Sequence, residues 1–370
     1  MGYATRDYHA EELIPAIGRA EDRLARLDER VARSPLREGF IERGHFFDAA
    51  ASMWLTGELV HIEDLVLHDA SMDIRPPTHE LTRAHAILRA RRRLWREGAN
   101  WGTSPSGLAA LRGRAGDHAS IDSDAPELEA DDDDEALGPP SVAFAEEFAE
   151  LDAAIAAADR LLEGGERHRA LSESSQRVGA DFVLYDPDWD EDERLAAWRT
   201  VMGEVDRLPA TLAGAILWET WQEAEPVQHQ HWLGELLVGA YLRSRGKVVS
   251  HLFGLSAGLK TIRRERRRAR SRTERIGACL EGMAAAADAD LEALNRLHLA
   301  KGQMEHRLRG RRSSSSLPAL VELLFSRPVV SAEMIARSAK ITRRAALNLI
   351  GEVGVREMTG RGRYRAWGIL

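Results

Sequence analysis

Residues 316–370 read SLPALVELLFSRPVVSAEMIARSAKITRRAALNLIGEVGVREMTGRGRYRAWGIL and carry the strongest structural signal in the chain. Ser316 can cap a helix with Leu317 and Pro318 in its first turn, where the fixed φ and missing N–H of proline cost nothing. Arg327-Pro328-Val329-Val330 reads as extended. Ser331 caps a short helix, AEMIARSA, with Glu333 in the first turn where the helix dipole favours an acid. Lys340-Ile341 makes a turn. Thr342 caps a third helix that runs to about Glu352 and turns Ala346, Leu349 and Ile350 inward. Two short helices across a tight turn predict a helix-turn-helix. Val353 to Met358 and Tyr364 to Ile369 read as strands on either side of Thr359-Gly360-Arg361-Gly362-Arg363, which predicts a β-hairpin wing with arginines at its tip.

The chemistry of this unit suits DNA. Arg343, Arg344 and Asn348 fall on or near the exposed side of the third helix; arginine can grip guanine O6 and N7 in pairs, and asparagine can pair with adenine. Arg361, Arg363 and Arg365 sit where a wing meets phosphates or the minor groove. With Lys340 and Thr342 at the turn, these are the expected DNA-binding residues. A winged helix can also serve as a protein-interaction module with solvated arginines. Arginines on both helix and wing favour nucleic acid.

Charge along the 370 residues agrees. The net charge of −8 hides an asymmetry: residues 260–370 hold 24 Lys/Arg and 11 Asp/Glu, a balance of +13, and the first 259 hold 27 and 48, a balance of −21. A basic end on an acidic body points to a polyanion partner. Lys260, Arg263, Arg264, Arg266, Arg267, Arg268, Arg270, Arg272 and Arg275 concentrate nine cations in 16 residues. They read as one basic helix capped by Ser256, with Arg263, Arg264, Arg267 and Arg268 as expected phosphate contacts.

Apolar residues make up 44% and charged residues 30%, as in a chain that buries a real core. No apolar run reaches the ~18 residues of a membrane span, the N-terminus lacks a signal-type apolar core, and Cys279 is the only cysteine. The expectation is a cytoplasmic protein with no membrane partner, no disulfide and no cofactor. Leu13, Ile14, Ile17, Ala20, Leu24, Leu27 and Val31 recur at helical spacing within 9–34. Further helices are expected at 37–56, from Glu80 to Trp95 behind a Thr78 cap, at 142–162, 192–206, 209–223 and 231–244, and over 258–310. The fold class is therefore mostly α: a helical body with a C-terminal winged helix-turn-helix. The expected regions are an N-terminal helical region at 1–98, an acidic disordered linker or loop at 99–140, a helical body at 141–312 and the DNA-binding unit at 313–370.

Three motifs in the body imitate catalytic or metal sites. Gly254-Leu255-Ser256-Ala257-Gly258 has the spacing of a hydrolase nucleophile elbow but no parallel sheet beneath it. His229-Gln230-His231 places two imidazoles two apart with no further ligand pattern. Asp186-Pro187-Asp188-Trp189-Asp190 starts like a calcium loop, but Glu191 and Ala197 stand where glycine and glutamate belong. Plainer readings, as helix starts and caps, serve all three.

Two resemblances follow. ASMWLTGELVHIEDLVLHDASMDIRPPTHELTRAHAILRARRRLW (51–95), together with the terminal SAEMIARSAKITRRAALNLIGEVGVREMTGRGRYRAWGIL, resembles a family of uncharacterised helix-turn-helix proteins common on plasmids of rhizobia and related bacteria, over nearly the whole chain. The C-terminal half is more distantly similar to Fic-domain proteins with a winged-helix tail. Leu233-Gly234-Glu235-Leu236-Leu237-Val238, Leu252-Phe253-Gly254-Leu255-Ser256, LFSRPVV and REMTGRGRYR fit that layout. The Fic resemblance implies a degenerate Fic-like core. The catalytic H-P-F-x-x-G-N-G-R motif does not carry over: Ala224 stands for its histidine, His229, Gln230, His231 and Trp232 for Gly-Asn-Gly-Arg, and Glu235 for the following arginine. Ser52 to Gly57 echoes the inhibitory S-x-x-x-E-G motif with Thr56 in place of glutamate. The leading expectation is a non-enzymatic DNA-binding regulator, working as a homodimer, whose body dimerises or senses a partner or ligand. The alternatives are a divergent Fic-like nucleotidyl or phosphoryl transferase using His229 or His231, and a protein-interaction partner in a plasmid-maintenance pair of toxin–antitoxin type.

Overall fold

Helix α1 (Ala10–Ala32) shows how the apolar spacing is spent: Leu13, Ala16, Ala20, Leu24, Leu27 and Val31 are buried in one stripe. Ile14, expected in that stripe, points outward and is 63% exposed. The computed structural model describes residues 8–73, 76–113, 189–309, 316–359 and 365–369. Among these it places fourteen α-helices, a 3-10 turn and three short strands, so the chain is mostly α as expected.

Helices α2 (Arg37–Leu55), α3 (Ile62–Asp69) and α4 (His79–Arg96) follow α1. Thr78 caps α4 by accepting from the Leu81 amide at 3.3 Å. The expected linker does not begin at residue 99. Trp101–Thr103 forms the 3-10 turn and Pro105–Leu111 forms α5. Ser104 caps α5 at 3.0 Å from the Gly107 amide, Pro105 starts it, and Leu108 and Leu111 are buried. The Asp131–Asp134 run, the helix expected at 142–162 and the calcium-like Asp186 and Asp188 lie outside the described residues.

The chain re-enters with α6 (Glu191–Glu204), capped by Asp190, then α7 (Ala210–Ala224) and α8 (Leu233–Ser244). Trp198 stacks edge-on against Trp221 at 5.4 Å and donates to the Leu217 carbonyl at 3.0 Å. Residues 8–113 and 190–369 pack as one unit, and α1 lies along α11 (Arg272–Leu308). The N-terminal region and the body, separate in the sequence reading, thus share one core.

The basic stretch is not one helix. It comprises α9 (Leu255–Leu259), α10 (Arg264–Arg267) and the start of α11. Ser256 is buried inside α9, whose N-cap is Gly254, so it does not cap a basic helix. The Gly-x-Ser-x-Gly spacing has a packing cause: a Cβ on Gly258 would lie 1.9 Å from the Gly282 carbonyl oxygen, so only glycine lets α9 meet α11 there.

The C-terminal unit comprises α12 (Leu317–Ser326), β1 (Val330–Ser331), α13 (Ala332–Ala339), α14 (Arg343–Val353), β2 (Arg356–Glu357) and β3 (Ala366–Gly368). The wing is a three-stranded antiparallel sheet in the order β1-β3-β2. The extended segment after α12 joins the expected hairpin as its third strand, pairing Val330 with Trp367.

Candidate nucleic-acid interface

Local signals build the helix-turn-helix. Ser331 Oγ accepts from the Met334 amide at 3.2 Å and starts α13. Lys340 ends α13 in the left-handed region at φ 52°, and the Ile341 amide returns to the Ala336 carbonyl at 3.0 Å. Thr342 Oγ1 accepts from the Ala345 amide at 3.2 Å and starts α14. Gly354 closes α14 at φ +68°, a conformation glycine adopts without strain. Ala346, Leu349, Ile350 and Val353 are buried.

The opposite face of α14 presents Arg343, Arg344 and Asn348 to solvent, with Leu347 39% exposed between them. Lys340 and Thr342 are exposed at the turn. Five of the expected residues, two at the turn and three on α14, are thus solvent-exposed. Arg365 is exposed but engaged: it donates to Glu357 Oε2 at 2.6 and 2.9 Å across the hairpin and lies 5.2 Å from the Trp367 ring. Arg361 and Arg363 lie outside the described residues.

Contacts that the sequence reading missed hold this unit to the body. Arg43 of α2 is buried and donates to the carbonyls of Arg327 at 2.6 Å, Ile369 at 2.8 Å and Leu324 at 3.4 Å. Burial, with Arg296 nearby, lowers its pKa to about 10. Arg327 pairs with Glu42 and lies 3.5 Å from Asp69. Arg92 holds the same two acids. Burial works against the Asp69 charge, but hydrogen bonds from His85 and Arg92 hold that carboxyl well below the usual range. Arg307 of α11 donates to the Gly354 carbonyl at 2.7 Å. Partners more than 200 residues apart, as Arg43 and Leu324 are, leave no local signal in a sequence.

The exposed face of α14 borders a groove of about 890 Å³. Arg343, Leu347, Arg337, Arg365 and Glu333 of the winged helix line it together with Glu63, Asp64 and Asp73 of the body. Part of the acidic surplus thus shares a groove with the basic reading surface.

The second basic cluster divides. Arg266 pairs with Glu281, and Arg272 and Arg275 both pair with buried Glu219. Arg267 is half-buried and donates to the Ile262 carbonyl at 3.1 Å. Arg263, Arg264 and Arg268 remain exposed. This cluster sits beside Glu281, whereas Arg307 touches the end of α14. At 1.5 Å per residue, Glu281 and Arg307 lie ~40 Å apart along α11.

In the segment aligned with the Fic motif, Ala224 ends α7 and Glu225 is left-handed at φ 41°. His229 and His231 are exposed on the following loop. Glu235 is buried, accepting from Trp218 Nε1 at 3.3 Å and Gln222 Nε2 at 3.4 Å, and burial pushes its pKa to about 7. Among the described residues no group of three or more His, Cys, Asp or Glu is placed to hold a metal ion.

Taken together, these elements define a helical protein with a C-terminal winged helix-turn-helix of the DNA-binding class. Residues 317–370 match the model of an HTH DNA binding domain, and residues 183–309 match that of a protein of unknown function, DUF1612. The uncharacterized protein y4cF of Sinorhizobium fredii is 44% identical over 359 residues, covering 93% of each chain. The chain belongs to that family. A crystal structure of a Fic family protein from Desulfovibrio desulfuricans aligns over 98% of this chain and 97% of its own, at a TM-score of 0.46 and 13% identity. A likeness at that level establishes neither a common fold nor a common activity. No described helix is long and apolar enough to cross a membrane.

Proposed function

We propose that the protein is a DNA-binding transcriptional regulator. The observation that carries this reading is the exposed face of α14, where Arg343, Arg344 and Asn348 stand together while the other face is packed into the core. In this reading Arg343, Arg344 and Asn348 enter the major groove and contact base edges. Lys340 and Thr342 contact the adjoining backbone, and Arg361, Arg363 and Arg365 of the wing meet phosphates or the minor groove. Arg365 would exchange Glu357 for phosphate. Two copies reading paired half-sites make a homodimer the fitting assembly.

The body has no assigned chemistry in this scheme; it positions the winged helix and supplies dimerisation or sensing. Arg263, Arg264 and Arg268, with Arg267 held behind them, reach phosphates where a duplex runs along α11. Salt titration of the full chain tests both parts. Each phosphate neutralised adds roughly −0.9 to the slope of log K against log salt. Replacing Arg263, Arg264 and Arg268 together with alanine is expected to flatten that slope by about 3 without changing sequence preference. An unchanged slope removes this cluster from the interface.

A further inference from the structure

A second cavity, of about 420 Å³, lies at the seam between the body and the winged helix. Phe40 and Phe47 of α2 and Leu297 of α11 line it from the body; Val329, Met358 and Ile369 line it from the winged helix. A cavity of this size, mostly apolar with a few convergent polar groups, has the form of a small-molecule site.

Its polar lining is incompletely satisfied. His251 is 3% exposed and lines the cavity; its Nδ1 contacts Ser250 Oγ at 2.8 Å, while Nε2 has no hydrogen-bond partner among the described residues. Burial keeps this ring neutral, with a pKa lowered to about 4. Arg91 also lines it, giving its terminal nitrogens to Asp48 and to the Leu252 carbonyl at 3.0 Å, while its Nε is unpartnered. The Asp290 carboxyl is half-buried in the lining, with no hydrogen bond or ion pair among the described residues, and burial with the Asp48 charge pushes it up to about 7. Buried polar atoms left unpaired cost free energy, and a bound molecule that pairs them recovers it.

The charges in the lining select the occupant. Each charge there is already engaged or suppressed: Arg91 by Asp48, Arg43 by three backbone carbonyls, Arg296 by Glu292 at 3.8 Å, and Asp290 by the burial that favours its protonated form. An ion entering would lose its hydration without a free partner, a cost that a molecule without formal charge does not meet. We propose that this cavity binds a small, uncharged, largely apolar molecule whose one polar group hydrogen-bonds Asp290 and His251 Nε2. The proposal concerns ligand binding and stands apart from the DNA-binding reading.

A matched pair of fluorescent probes tests it on the full chain. N-phenyl-1-naphthylamine is uncharged and carries a single N–H; 8-anilino-1-naphthalenesulfonate is the same skeleton with a sulfonate. The neutral probe is expected to bind saturably, one per chain, and at least about tenfold more tightly than the sulfonate. Ala293 and Ala289 of α11 line the cavity. Ala293→Trp fills it and is expected to weaken the neutral probe at least about tenfold with an unchanged circular-dichroism spectrum. Ala289→Trp, at an exposed position, makes the same test if the first variant does not fold. Asp290→Leu is expected to weaken the neutral probe several-fold by removing its hydrogen-bond partner. Absence of saturable binding, equal affinity for both probes, or unaltered binding by a folded tryptophan variant would overturn the assignment.

Discussion

Arg343 and Arg344 differ from neighbouring cations in what holds them. Arg337 pairs with Glu333, Arg365 with Glu357 and Arg327 with Glu42, whereas no ion pair among the described residues engages Arg343 or Arg344. Replacing either with alanine is expected to cost about 1–3 kcal/mol of DNA binding at one operator position if it reads a base, measured as affinity for the bound site against single-base variants. A loss equal on every sequence would argue for a phosphate contact instead. Glu235 offers a separate test. Its folded pKa, about 7, lies above the ordinary 4.5. The folded state therefore keeps a proton that the unfolded state loses, and stability falls as pH rises from about 4.5 through about 7. Relative to wild type, Glu235→Gln is expected to gain about 3 kcal/mol between pH 4.5 and pH 8 in urea unfolding. A pH-independent difference would show that Glu235 stays charged in the fold. At this scale the sequence disclosed residue types and helix faces, but not pairing: nothing local marks Arg365 as held or Arg343 as exposed and unpaired.

Elements were the most legible level, because caps and periodicity are local. Thr78, Ser331 and Thr342 cap the helices their positions predict. The failures also have local causes. A run of arginines resembles a helix from its propensities, yet Gly258 and the short turns after it break 255–272 into pieces. The 3-10 turn and α5 escaped because three glycines and a proline punctuate 98–107, while the burial that fixes them comes from elsewhere in the fold. Gly258→Ala tests the packing account of the Gly-x-Ser-x-Gly motif. With a Cβ placed 1.9 Å from the Gly282 carbonyl, α9 must move from α11, at an expected cost of about 2–3 kcal/mol in denaturant unfolding. Ser256→Ala, in a site with no nucleophile role, is expected to leave DNA affinity unchanged. A cost below about 0.5 kcal/mol for Gly258→Ala would mean the contact relaxes freely.

The whole molecule joins a basic reading surface to an acidic body, and the groove beside α14 brings the two charges together. The +13 and −21 balances showed the asymmetry in the sequence; only the fold shows Glu63, Asp64 and Asp73 lining one groove with Arg343 and Arg337. Acids in an open groove repel an incoming phosphate backbone, more strongly at low salt. Neutralising Glu63 and Asp64 as glutamine and asparagine is expected to tighten DNA binding by roughly two- to fivefold at low ionic strength, and less at high salt. Unchanged affinity would place bound DNA away from these acids. The most direct test of the central claim is fluorescence anisotropy with duplexes that the full chain selects from genomic DNA of its source organism, titrated against scrambled duplexes over a range of salt. The account predicts salt-sensitive binding that prefers the selected sequence, with the preference abolished in the folded Arg343→Ala/Arg344→Ala double variant. Salt-insensitive or absent binding, or a preference that survives that double variant, would contradict it.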